Sequence, residues 1–416
     1  MRRSVRACLL AATATLLVST AQASDGFPRP RAEGWLVKSY AEIALPKATE
    51  RPIAQAMTAA ADDAARLRWW SVGGPVHRWN EIMLDEIQDS FSVLPGAARQ
   101  LALFHVALDD ATAAAAHHKA SESAAAAAAA ADVLGYLFPA RAAAFAAKAD
   151  EAMQLRLRTG ADVPAALDAG REIGRKVAAL AIARGKADGS DAKWSGSVPE
   201  GPGKWKGQNP IAPMAGTWQP WVLSNPSELR PPAPPAFDSE QTRAALAELK
   251  TFPRTPKSNH RATFWEVNGG ARAHLLWNEI ARTKLMESGA APATAARVLA
   301  ALNVAMSDAG IACWEAKYHY WYIRPPQLDA ELKSVFPPPN HPSYPAAHGC
   351  YSTSAATVLA AAFPLDRDRM LALGKEAAEA RVWAGIHYRF DIDAGQEIGR
   401  RVAEKALQRA FSDRAE

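Results

Sequence analysis

The chain repeats itself. Trp79-Asn80-Glu81-Ile82 returns as Trp277-Asn278-Glu279-Ile280, 198 residues further on. The same offset pairs Val106-Ala107 with Val304-Ala305, Asp110-Ala111 with Asp308-Ala309, and Lys119 with Lys317. Beyond that the offset becomes 225. It pairs Phe138-Pro139 with Phe363-Pro364, Arg156 with Arg381, Asp168-Ala169-Gly170 with Asp393-Ala394-Gly395, and Glu172-Ile173-Gly174-Arg175 with Glu397-Ile398-Gly399-Arg400. The second copy therefore carries 27 extra residues, in the region of Arg324 to Pro345. Alanine-rich segments dominate and β-branched alternating runs are scarce, which favours helices over sheet. The expectation is an all-α protein of two related helical bundles packed about a pseudo-twofold axis.

Punctuation along the chain sets the expected boundaries. Arg2, Arg3 and Arg6 head an apolar stretch from Ala7 to Ser19, too short to span a bilayer, and Ala21-Gln22-Ala23 offers small residues for cleavage. Residues 1–23 thus read as an export signal, with the mature protein periplasmic or secreted. Losing three arginines takes the formal charge from +5 to +2, so the basic balance gives no reason to expect a nucleic-acid partner. No later segment reads as a membrane span. Residues 24–185 form the first bundle and 238–416 the second. Between them, 186–237 hold ten prolines from Pro199 to Pro235 together with Trp194, Trp205, Trp218 and Trp221. That is too aromatic for a disordered linker, so an ordered connection across the surface is expected, near the mouth of any pocket. Helices are expected near 75–90, 96–120, 121–137, 140–157, 168–185, 239–250, 268–288, 292–319, 349–362, 366–382 and 394–412. Cys313 and Cys350 could form a disulfide in an exported protein or remain two small buried side chains.

Duplication also separates architecture from chemistry. Residues present in both copies are expected to build the fold, and residues confined to the second copy to act. Asp393 recurs as Asp168, so its expected task is to cap the following helix. Arg324, His348, His387 and Asp391 have Ala126, Ser123, Asp162 and Ala166 as counterparts. The first bundle then reads as a scaffold.

The second copy holds Lys317, then Arg324-Pro325, then Pro345-Ala346-Ala347-His348, then Arg381, His387 and Asp391. Small tetrahedral or bipyramidal oxyanions need fixed cations around their oxygens, one imidazole to bond the central atom and another group for protons. Lys317 taken alone reads as surface charge. Arg324 supplies a planar fork. His348 opens a helix whose free N–H groups, Ala347 among them, favour anions. Asp391 would hold the ring of His387 and fix its tautomer. His341 is near enough in sequence to reach the same anion. The aromatic run Tyr318 to Tyr322 reads partly as pocket wall and mostly as core.

These motifs resemble those of the superfamily that joins vanadium-dependent haloperoxidases to type 2 phosphatidic acid phosphatases and bacterial acid phosphatases. Its pattern is K-x6-R-P, then P-S-G-H, then S-R-x5-H-x3-D. The two-bundle length resembles the haloperoxidase branch. The resemblance implies vanadate bonded axially through His387, oxygens neutralised by Lys317, Arg324 and Arg381, and proton handling by His348. Peroxide would then oxidise halide. In the phosphatase alternative no cofactor is needed: the equivalent of His387 attacks the phosphorus of a phosphate ester, giving a phosphohistidine, and that of His348 protonates the leaving group. His341 falls where the haloperoxidases carry phenylalanine or, in bromoperoxidases, histidine. Ala346, Ala347 and Ala380 depart from the pattern. A lost hydrogen bond to a charged acceptor is worth about 1.5–3 kcal/mol, so a third expectation is an oxyanion binder with little turnover.

Overall fold

The computed structural model describes residues 32–45, 61–90, 92 and 94–411. The export signal read from residues 1–23 lies outside them. The first bundle comprises α1 (Ala61–Ser71), α2 (His77–Asp89), α3 (Leu94–His117), α4 (Glu122–Leu137), α5 (Ala142–Arg158) and α6 (Pro164–Ala187). The second comprises α7 (Glu240–Thr251), α8 (Pro256–Trp265), α9 (Ala273–Glu287), α10 (Pro292–Tyr320), the short α11 (Pro325–Leu328), α12 (Ala347–Ala362), α13 (Arg367–Trp383) and α14 (Arg389–Ala410). Among the described residues no strand forms, and one isolated bridge pairs Lys204 with Tyr322. The all-α expectation holds.

The two copies meet through their own repeats. Asn80 Nδ2 donates to Asn278 Oδ1 at 3.0 Å, so a residue bonds its duplicate across the pseudo-twofold axis. His105 Nε2 accepts from Asn80 at 2.6 Å, and Asn303, the counterpart of His105, exchanges hydrogen bonds with Asn278 at 2.9 Å. Buried polar groups favour pairing, and these pair with one another, while Asn80 Oδ1 and His105 Nδ1 remain without a partner. Both repeated aspartates anchor chain segments. Asp110 accepts the N–H groups of Trp35 and Leu36, and Asp308 those of Trp221 and Val222. The repeated glycines serve close helix contact. A Cβ on Gly170 would strike the Ser121 carbonyl, and one on Gly395 the Ala346 carbonyl. Thus α6 lies on α4 as α14 lies on α12, and Ser121 corresponds to Ala346.

At the centre α3 packs on α10. By length and composition α10 meets the test for a membrane span, contrary to the sequence expectation, yet it is buried throughout, the position of a core helix. Its alanines let neighbouring helices come close.

The extra residues of the second copy run between Lys317 and Ala346, and the connection holds them. Trp205 N–H donates to Trp321 O at 2.7 Å, and Ile323 N–H to Gly203 O at 3.0 Å. The hydroxyls of Tyr320, Tyr344 and Tyr322 donate to the carbonyls of Pro231, Pro232 and Pro235 at 2.6, 2.8 and 2.9 Å. An extended proline segment has no internal hydrogen bonds, so its carbonyls are free for such clamps. The aromatic run is therefore chiefly a fastening for the connection.

Two further readings are corrected, and one open alternative is decided. Helix α8 was not foreseen, although Thr255 caps it and Pro256 opens it. Helix α14 starts at Arg389, because Asp391 accepts the Tyr388 N–H at 3.2 Å and caps the first turn. Asp393 therefore sits inside the helix and caps nothing, and Asp168 likewise lies inside α6. Of the two alternatives for Cys313 and Cys350, the structure takes the second: both are free, buried thiols.

Candidate active site

The sequence-predicted residues converge from separate elements. Lys317 ends α10, Arg324 precedes α11, His341 lies in the insertion, Ala347 and His348 open α12, Arg381 ends α13, His387 follows it and Asp391 opens α14. His341, Ala347, His348, Arg381 and His387 line one cavity of about 250 Å³. Asp391 stands behind His387. Lys317 and Arg324 do not reach the lining; they are fully buried behind it.

Their bonds explain that position. The ammonium of Lys317 donates to the carbonyls of Pro342 and Ser343 at 2.9 Å and to that of Pro345. Its three donors gather the turn that delivers α12. The surface reading of Lys317 fails, whereas its counterpart Lys119 is exposed. Arg324 donates to His341 O at 3.1 Å, Ile386 O at 3.0 Å, His341 Nδ1 at 3.0 Å and His387 Nε2 at 2.8 Å. Burial lowers the pKa of Lys317 to about 8 and that of Arg324 to about 9.

Partners with only one hydrogen-bonding sense assign the imidazole tautomers. His387 Nδ1 lies 2.8 Å from Asp391 Oδ2, which can only accept in its ionised form, so Nδ1 carries the hydrogen. Nε2 then presents a lone pair, which accepts from Arg324. Burial, and then the charges of Arg324, Lys317 and Arg381, hold the His387 pKa well below its ordinary value. The three cations thus act on this ring through their field, wherever their donors point. Asp391 also accepts from Ser343 Oγ at 2.5 Å. Burial raises its pKa to about 6, opposed first by the Ser343 hydroxyl and then by Lys317 and Arg324. His348 Nε2 lies 2.8 Å from Trp265 O, so Nε2 carries the hydrogen and Nδ1 the lone pair. Burial, then Arg381, keeps this ring neutral as well. His341 Nδ1 faces both Arg324 Nη2, a donor, at 3.0 Å and the Pro342 carbonyl, an acceptor, at 3.1 Å, so its partners do not fix its tautomer.

Arg381 is the cation in the cavity. Its Nη2 donates to Glu266 Oε2 at 2.6 Å, while Nε and Nη1 are buried without a partner. Unmet buried guanidinium donors beside a helix N-terminus and two neutral imidazoles suit an anion. Among the described residues no group of three or more His, Cys, Asp or Glu could hold a bare metal ion. The donor set therefore fits an oxyanion gripped by its oxygens.

Glu266, Ser343 and Trp265 were missed by sequence reasoning. Glu266 rises from a π-helical turn, Glu266–Ala271, and such irregular turns recur at functional sites. No motif marks any of the three, since their roles come from tertiary contact.

The first copy shows the same arrangement closed. Arg156 and the hydroxyl of Ser121 both donate to Asp162 Oδ2, at 2.5 and 2.6 Å. Asp162 occupies the position of His387. There the chain supplies its own anion.

A family model described as "VCPO second helical-bundle domain" matches residues 297–328 and 364–414. Among solved structures, the chain is similar to the first bacterial vanadium-dependent iodoperoxidase, with a TM-score of 0.66 and 21% identity, covering 88% of this chain and 100% of that one. It is similar to a holo-type bacterial vanadium-dependent chloroperoxidase, with a TM-score of 0.59 and 15% identity over 76% of this chain and 91% of that one. A non-specific acid phosphatase of Salmonella typhi is 40% identical over 57 residues, which are 14% of this chain. The match spans 23% of that curated relative, about a quarter of its length. The domain match takes in Lys317, Arg324, Arg381, His387 and Asp391, and these matches together support the superfamily of vanadium-dependent haloperoxidases and type 2 phosphatidic acid phosphatases.

Proposed function

We propose that the second bundle is a vanadate-dependent haloperoxidase site that uses hydrogen peroxide to oxidise halide. The observation that carries this reading is the pair of orphaned Arg381 donors in one cavity with a neutral, lone-pair-bearing His387. His387 Nε2 would bond the vanadium in place of its hydrogen bond from Arg324, Arg381 would neutralise oxygens, and the Ala347 and His348 N–H groups would add donors. Lys317 and Arg324 contribute charge from behind the wall. Vanadate, when bound, would supply the Lewis-acidic centre at which peroxide becomes an oxidant. His348 is set to take a proton, because its Nε2–H is tied to Trp265 O and its lone pair lies on Nδ1. A proton acceptor suits an incoming peroxide better than a departing alkoxide, which needs a donor.

The acid-phosphatase alternative rests on the 57-residue similarity and on the same residues, with His387 as nucleophile. Adding orthovanadate to the purified full chain separates the two. Peroxide-dependent oxidation of bromide or iodide should appear with vanadate and be absent without it. Hydrolysis of p-nitrophenyl phosphate that vanadate inhibits, with no halide oxidation, would overturn the haloperoxidase reading. Neither activity would leave an oxyanion binder.

A further inference from the structure

We propose that the same cavity holds a seat for a planar apolar organic group, built mostly from outside the catalytic bundle. The inference rests on the oxyanion reading and deepens it. Leu94 and Pro95, at the start of α3, come from the first bundle, and Ile211 comes from the connection. Trp314 and Pro339 complete the wall. The first bundle is then more than a scaffold, because it closes the site.

The wall is held in place. The Ile211 carbonyl accepts from Trp314 Nε1 at 3.1 Å and from the Tyr318 hydroxyl at 2.6 Å, and its N–H donates to Asn340 O at 3.0 Å. The indole N–H is thereby occupied, so Trp314 offers the cavity only apolar surface. A pre-fixed wall spares the cost of ordering on binding. At about 30 Å³ per water, a cavity of about 250 Å³ has room for about eight water-sized groups, whereas a tetrahedral oxyanion has five heavy atoms. Apart from Glu266, which is paired with Arg381, the remaining lining includes Leu94, Pro95, Ile211 and Trp314, whose burial rewards an apolar occupant. Flat proline and indole faces favour an aryl group. Such a group could be carried on the oxyanion, as in an aryl ester, or bound beside it as an organic co-substrate.

Calorimetric titration of the full chain with phenylphosphonate and methylphosphonate tests this without turnover. The account expects phenylphosphonate to bind at least tenfold more tightly. In Ile211→Trp, which fills the seat, the ratio of the two affinities should approach one. Ile211→Ala, with a smaller loss of contact, should lower the ratio and guards against misfolding of the bulkier variant. Phenol titrated into phosphate-saturated protein distinguishes a separate aryl partner from one carried on the oxyanion; phenol binding that Ile211→Trp abolishes supports the seat even where the two phosphonates bind alike. Equal phosphonate affinities and no phenol binding would overturn the inference and leave the oxyanion reading standing. Failure of both phosphonates to bind would remove the oxyanion reading, and the seat with it.

Discussion

At the scale of single residues, the site is governed by what each buried atom can give or take. Asp391 can only accept while ionised, so it fixes the His387 hydrogen on Nδ1 and leaves a lone pair on Nε2, where Arg324 donates. Asp391→Asn keeps the shape and removes that certainty. Peroxidase or phosphatase turnover should fall about 10–100-fold, the usual effect of losing an orienting partner, and steady-state kinetics check it. Ala346 is the departure from the family pattern with the clearest consequence. Its counterpart Ser121 donates to the carboxylate that Arg156 also grips, so a serine here bonds an anion in the arginine's company. Ala346→Ser should therefore tighten phosphate or vanadate binding by about tenfold or more, since a hydrogen bond to a charged acceptor is worth about 1.5–3 kcal/mol. Unaltered affinity in a titration would contradict that assignment. His348, His387 and Asp391 were legible because they are chemically suited and absent from the first copy. Glu266 and Ser343 were not, because nothing local distinguishes a carboxylate or hydroxyl that a distant segment will use.

At the scale of elements, the duplicated glycines offer an internal control. Gly170 and Gly395 occupy equivalent places, and a methyl group at either would drive into a carbonyl of the facing helix. Overpacking of this kind costs about 1–3 kcal/mol. Gly170→Ala and Gly395→Ala should lose comparable thermal stability, but Gly395→Ala should also lower activity, because Ala346 leads straight into His348. Equal activity in the two variants would show that α12 is not positioned through that contact. Helix existence was largely readable from composition and period. The start of α14 was not, because Asp391 caps it from inside the first turn while also orienting His387. That double use makes one residue answer to two local rules. The connection was read correctly as ordered, but the tyrosines that fasten it looked like core, since a sequence does not say which hydroxyl meets which proline carbonyl.

At the scale of the whole molecule, both bundles share one core centred on α3 and α10, with a polar thread of His105, Asn80, Asn278 and Asn303 at the pseudo-axis. The 198-residue repeat made this symmetry legible, and only the structure shows that duplicates bond each other. Buried histidines give the molecule a pH signature. Burial lowers the His274 pKa to about 4, and neither ring nitrogen has a partner. The unfolded chain protonates this ring near its ordinary value of about 6.5. Its contribution is therefore full above that value and is lost as pH falls from 6.5 towards 4. Thermal melts of wild type and His274→Leu should show the wild type losing ground to the variant as pH drops from 7 to 4; a constant gap would contradict the assignment. The claim on which the functional account turns is that one small oxyanion bonds His387 with Arg381 beside it. Titrating orthovanadate into the full chain, His387→Ala and Arg381→Ala measures it directly. The account predicts one anion per wild-type chain and at least tenfold weaker binding in each variant, whereas equal binding in all three proteins, or none in the wild type, would contradict it.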